Sequence, residues 1–116
     1  MDFIDTHAHL DDTAFDRDRD EVIARAVEAG VIAVCNVGYR PSRWNTTADL
    51  AATFSIVTPM YGLHPQHADE LSDLTVEQLY HRLSAAPACA VGEIGLDFFR
   101  NGPPRAIQLE ALHVQL

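Results

Sequence analysis

Positive charge is scarce: eight Lys and Arg stand against seventeen Asp and Glu in 116 residues, a formal net charge of −9. That balance excludes a broad basic face gripping nucleic acid, because each phosphate contact draws on Lys or Arg. It leaves room for an enzyme that meets phosphate through bound cations. Cysteine is nearly absent too. The two present, Cys35 and Cys89, lie beside aliphatics in expected strands. They read as buried thiols of a reducing compartment rather than as a disulfide framework. The opening Met-Asp-Phe-Ile-Asp has no basic region ahead of an apolar core, so no secretory signal is visible. No apolar run approaches the roughly 20 residues of a membrane span. A cytoplasmic protein with no membrane partner is expected. Missing as well is a Gly-x-Gly-x-x-Gly after the first strand, which counts against a dinucleotide fold.

What is present has the patterning of one modest folded domain, with 47% hydrophobic residues. Residues 3–10 begin as a strand. Residues 16–29 place Val22, Ile23, Ala26 and Val27 on one helical face, and Gly30 ends that helix. The nearly continuous apolar run 31–37 reads as a strand buried on both faces. A second helix begins around Arg40-Pro41-Ser42 and carries Trp44, Ala48, Ala51 and Ala52 on one side. Residues 55–63 form a third strand, in which Pro59 is awkward for a central position. A capping box from Thr75 to Gln78 starts a third helix, and Pro87 stops it. Residues 88–94 are a fourth strand, 95–104 a loop, and 105–116 a fourth helix.

This βαβαβαβα order has the cadence of right-handed units around a parallel sheet. A doubly wound sheet and a barrel both satisfy it. Four βα units are half of an eightfold barrel, which typically runs to about 250 residues. The sequence also stops inside a helical pattern, so the expectation is the front half of a larger protein.

Chemistry gathers at the strand ends, which share one mouth in a parallel α/β fold. His7 and His9 lie on one face of an extended chain, with Cα atoms roughly 6–7 Å apart. Their rings can converge on one ion at about 2.0–2.1 Å. Asp5 shares their parity and suits either orienting one ring or capping a turn. Strand-end histidines that bind nothing are, however, common. Glu93 is a carboxylate within the apolar fourth strand, a costly placement without a cation or a hydrogen-bonded partner. Metal ligation and a salt bridge to Arg100 both answer that need. His64, held extended by Pro65, suits a hydrogen bond to a substrate oxygen or to a turn carbonyl. His67, His81 and His113 carry no comparable context, and His81, in a helix, and His113, near the chain end, read as ordinary surface or packing residues.

Three blocks, Asp5-Thr6-His7-Ala8-His9-Leu10, Gly62-Leu63-His64-Pro65 and Gly92-Glu93-Ile94-Gly95-Leu96-Asp97, resemble signature blocks of the TatD-like metal-dependent deoxyribonucleases. They occur in the family's order, and the resemblance spans essentially all 116 residues. It implies an α/β chain of the TIM (β/α)8 barrel family, with residues 1–116 covering about the first four βα units as the N-terminal half of a single barrel. It further implies a metal-dependent DNase cleaving phosphodiesters with two divalent ions, Zn, Mn or Mg. His7 and His9 would hold one ion, and Glu93 would bridge it to the second. His64 would sit at the substrate pocket, with Glu93 and His64 as the catalytic residues. A metal-bound hydroxide would attack phosphorus, and DNA would be the partner. The family also draws two histidines and an aspartate from later strands, beyond Leu116. Two alternatives stay open. One is another His-x-His hydrolase, a PHP-type phosphoesterase or an amidohydrolase. The other is an inactive fragment that self-associates through an open strand edge at 88–94.

Overall fold

In the computed structural model, which describes residues 1–85 and 88–116, the apolar run after Gly30 lies in the interior of the sheet. It forms β2 (Val31–Gly38), between β1 (Phe3–Ala8) and β3 (Val57–Tyr61), with β4 (Ala90–Val91) beyond β3. All three pairings are parallel. The crossovers are α1 (Arg19–Glu28), α2 (Pro41–Thr53) and α3 (Asp73–Ala85), and α4 (Arg105–Gln115) follows β4. Strand order simply follows chain order. A doubly wound sheet reverses its order at a switch point, so this is the arrangement of a barrel, here as half of one.

The helices bury one side of the sheet. Ile23 of α1, Leu50 of α2 and Val57 of β3 form one cluster. Trp44, Tyr61 and Leu79 join α2, β3 and α3 in a second, and Leu63, Ala68 and Ala111 bring α4 onto the end of β3. Trp44 is 1% exposed, and its indole N–H donates to the carbonyls of both Gly38 (3.0 Å) and Gly62 (3.1 Å). One side chain on α2 thus ties together the carboxyl ends of two strands. Gly30 allows the tight return into β2: its φ is +96°, and a Cβ there would lie 2.7 Å from the Met1 carbonyl oxygen.

Several local expectations shift. The first helix begins at Arg19 rather than at residue 16, because a 3-10 turn at Thr13–Phe15 occupies the approach. There the Arg19 guanidinium holds the loop through Leu10 O, Asp12 O and Asp16 Oδ1. The third helix begins at Asp73, and Ser72 caps it by accepting from the Thr75 N–H at 3.1 Å, so the cap lies ahead of the expected Thr75 box. Pro87, expected to stop that helix, lies outside the described residues. Regular pairing of the fourth strand covers two residues, Met60↔Ala90 and Tyr61↔Val91. That brevity accommodates Pro59 in an interior strand. Its carbonyl accepts from the Cys89 N–H (3.0 Å), and its missing donor falls before the β4 ladder begins. The cysteines are less buried than expected. Cys35 is partly buried, while Cys89 is exposed on the unhelical approach to β4, with its thiol turned toward Pro59 O at 3.6 Å. Both sheet edges, β1 and β4, are largely exposed. No described helix is long and apolar enough to cross a membrane.

Candidate metal centre

Every side chain of the candidate site sits at or just beyond the carboxyl end of a strand. His7 and His9 come from the end of β1, Tyr39 from β2, His64 from β3, and Glu93 from β4. The His7 and His9 ring centroids are 5.1 Å apart with planes 85° to one another. One ligating atom from each of His7, His9 and Glu93 lies within 4.8 Å of the other two. Donors bonded to one ion at about 2.0–2.2 Å stand at most about 4.4 Å apart, so small side-chain rotations close this trio on an ion. Two imidazoles and a carboxylate suit Zn or Mn, and Mg with added waters.

The ring of His9 is oriented by a backbone group. Its Nδ1 lies 3.1 Å from the Val37 carbonyl oxygen, which places the proton there and leaves Nε2 as a free ligand. Of the two roles open to Asp5, it takes the local backbone one, accepting from the His7 N–H at 3.0 Å. His64 Nδ1 accepts from the Gln66 N–H at 3.0 Å, capping the 3-10 turn Pro65–Glu70. The neutral ring therefore carries its proton on Nε2, the atom that faces Glu93 Oε1 at 3.5 Å. His64 serves the local turn and still directs a donor into the site.

Glu93 is less enclosed than its apolar neighbours suggested. Its side chain is 37% exposed, with Oε2 3.5 Å from His7 Nε2. The salt bridge to Arg100 does not form, because Arg100 pairs with Asp97 at 2.6 Å. Gly62 lets Glu93 reach this position. A Cβ on residue 62 would lie 2.6 Å from the Gly92 carbonyl carbon and 3.0 Å from the Glu93 nitrogen. The residue ahead of the Leu63-His64-Pro65 block thus leaves space for the neighbouring block to pass. His81 and His113 are exposed and do not line this mouth.

Two groups of residues escaped the sequence reading. The first is a buried polar network beneath His9. Asn36 is fully buried; its Oδ1 accepts from the Leu10 N–H (2.6 Å) and its Nδ2 donates to Asp11 Oδ1 (2.9 Å) and Thr47 Oγ1 (3.1 Å). Asp11 also accepts from Thr46 Oγ1 at 2.6 Å and pairs with Arg43 at 3.0 Å. The segment after the two histidines is thereby fastened to β2 and α2. Burial pushes the Asp11 carboxyl upward, but the Asn36 and Thr46 hydrogen bonds and the Arg43 charge outweigh it and hold the group below the usual aspartate value. A lowered folded value means that the unfolded chain binds the proton first. Stability from Asp11 is complete above the ordinary aspartate range of about pH 3.9 and is lost as pH falls through the lowered folded value. Asp11→Asn is expected to flatten the acid limb of the stability–pH curve below about pH 4, measured by urea denaturation. An unchanged limb would remove Asp11 from this role.

The second group is the aromatic side of the mouth. Tyr39 meets His9 edge-on (5.2 Å, 83°) and lies nearer to parallel with His67 (5.7 Å, 31°). Burial, aided by the Arg40 charge, lowers His67 below the usual histidine value. A cavity of about 410 Å³ is lined by His9, Tyr39, His64, His67 and Glu93, with Arg100 at its rim. Neither Tyr39 nor His67 belongs to a spaced motif.

Residues 4–116 match the family profile described as TatD related DNase. The sequence is 36% identical over 116 residues to "Uncharacterized metal-dependent hydrolase YjjV" of Escherichia coli, covering 98% of this chain and 45% of that protein. It is 33% identical over 117 residues to "3'-5' ssDNA/RNA exonuclease TatD" of Pectobacterium carotovorum, covering 97% of this chain and 44% of that one. The crystal structure of Escherichia coli YjjV superposes with a TM-score of 0.87 at 35% identity, over 97% of this chain and 44% of that chain. A TatD family hydrolase from Entamoeba histolytica superposes with a TM-score of 0.89 at 21% identity, a likeness of fold. The chain thus spans less than half the length of these relatives.

Proposed function

Since the chain belongs to the TatD related DNase family, we propose that it is the portion of a metal-dependent phosphodiesterase barrel that supplies His7, His9 and Glu93 to a two-ion centre acting on DNA. Residues 1–116 are then one part of a single barrel domain. The observation that carries the reading is the convergence of those three donors within 4.8 Å at one mouth. In this reading His7, His9 and Glu93 are the side chains of this chain that would hold the divalent ions. Bound divalent ions supply Lewis acidity toward phosphoryl oxygens.

The chain's own residues position and donate. The Val37 carbonyl and the Asn36 network hold His9 and Leu10 in place. His64, with Nδ1 committed to Gln66, directs its Nε2–H toward a substrate oxygen or the leaving group. The net charge of −9 fits a protein that meets a polyanion at a cation-loaded mouth rather than across a basic face. The relatives named as single-strand exonucleases support single-stranded DNA as the first substrate to test.

The full-length protein is expected to degrade a single-stranded oligodeoxynucleotide with added Mn²⁺, to stop after treatment with a chelator, and to resume when Mn²⁺ is returned. Cleavage that persists in excess chelator would overturn the proposal.

A further inference from the structure

The aromatic side of the mouth is not needed to hold an ion, yet it shares the cavity with the residues that would. Tyr39 leaves the end of β2 with its ring edge toward His9, and His67 rises from the turn Pro65–Glu70 to lie beside it. Both are partly exposed, so their rings are not sealed in the core. His67 is also held from behind: its Nδ1 lies 3.4 Å from Glu70 Oε1, and Glu70 is paired with Arg40 at 2.5 Å. The result is a braced pair of π-faces next to a cluster suited to a phosphodiester. The cavity volume of about 410 Å³ is ample for a single nucleotide residue.

We propose that Tyr39 and His67 form a nucleobase subsite, on which the base one sugar away from the bound phosphodiester stacks. The subsite accepts single-stranded nucleic acid, whose bases can leave their own stack, and it reads a π-face rather than a hydrogen-bonding edge, so it tolerates any base. Tyr39 and His67 are positioning residues for the substrate. The inference rests on the hydrolase reading, and its test separates the two.

The test uses full-length protein and single-stranded oligonucleotides with 2-aminopurine at successive positions from the 3′ end, in Ca²⁺ to permit binding. Stacking quenches 2-aminopurine fluorescence. Strong quenching is expected at one position only, and Tyr39→Ala is expected to remove it while weakening binding by roughly tenfold, as loss of one stacked base should. Tyr39→Phe retains the quench. In Mn²⁺, the wild-type protein should prefer a normal strand to one with an abasic residue at that position, and Tyr39→Ala should lose that preference. Quenching without any hydrolysis would sink the hydrolase reading and leave the subsite standing. Absence of quenching in the wild-type protein, or an equal abasic preference in Tyr39→Ala, would overturn the subsite and leave Tyr39 as a brace for His9.

Discussion

Replacing Glu93 with glutamine in the full-length protein is expected to cut DNA hydrolysis by at least about 10²–10³-fold, the range seen when one preorganised electrostatic group is removed from an active site. The change keeps shape and volume but replaces an anionic oxygen with a neutral amide. If Glu93 links two ions, both bonds weaken together, and the protein should also bind Mn²⁺ less tightly by calorimetry. Folding should survive. The Glu93 side chain is 37% exposed and the nearest imidazoles, His7 and His64, are each 3.5 Å away, so no tight buried pair is broken. Unchanged cleavage in a folded Glu93→Gln protein would remove the residue from the reaction. Loss of activity together with loss of the fold would show a structural role instead.

The second large effect concerns stability. Trp44→Ala is expected to destabilise the fold by about 3–5 kcal/mol, the usual cost of truncating a fully buried large aromatic side chain. Trp44 packs against Tyr61 and Leu79, and its indole N–H serves the ends of two strands at once. Two variants separate these contributions. Trp44→Phe retains most of the apolar volume but leaves the Gly38 and Gly62 carbonyls without this donor, at a cost of about 1–3 kcal/mol. Because Gly62 lies against the Gly92–Glu93 backbone, Trp44→Phe should also impair activity more than its stability loss alone predicts. Urea denaturation gives the first quantity and steady-state turnover under folding conditions the second. A cost for Trp44→Ala below about 1 kcal/mol would mean that α2 is not a principal clamp on the sheet.

The parts of this account visible in the sequence are those with local signatures. The alternation of short apolar runs with amphipathic stretches sets the βα cadence, and period-two spacing is enough to put His7 and His9 on one face. Glu93 stood out because a carboxylate within an expected apolar strand needs a cation or a hydrogen-bonded partner. Strand order, which separated a barrel from a doubly wound sheet, is a long-range property that no local pattern encodes.

The missed residues share a different character. Asn36 lies in a run read as nearly continuous and apolar, and its partners Asp11 and Thr47 are 25 and 11 positions away. A polar residue inside a buried strand was the available signal, since a group with that desolvation cost must find partners. Tyr39 and His67 had no such signal, because their adjacency arises only when the ends of β2 and β3 meet. The Arg100 alternative failed for a local reason. Asp97, three residues earlier, offers Arg100 both a carboxylate and a turn whose N–H groups it accepts. Cys89 was misjudged because a strand of seven residues was expected where two are paired, leaving its approach uncovered.

The central claim is that His7, His9 and Glu93 hold a divalent ion together, and the most direct measurement is a crystal of the full-length protein grown with Mn²⁺, recorded at an energy where manganese scatters anomalously. The account predicts a peak within about 2.0–2.3 Å of one nitrogen of His7, Nε2 of His9 and a carboxylate oxygen of Glu93. A peak that leaves these three residues outside bonding distance, with the mouth occupied only by water, would contradict it.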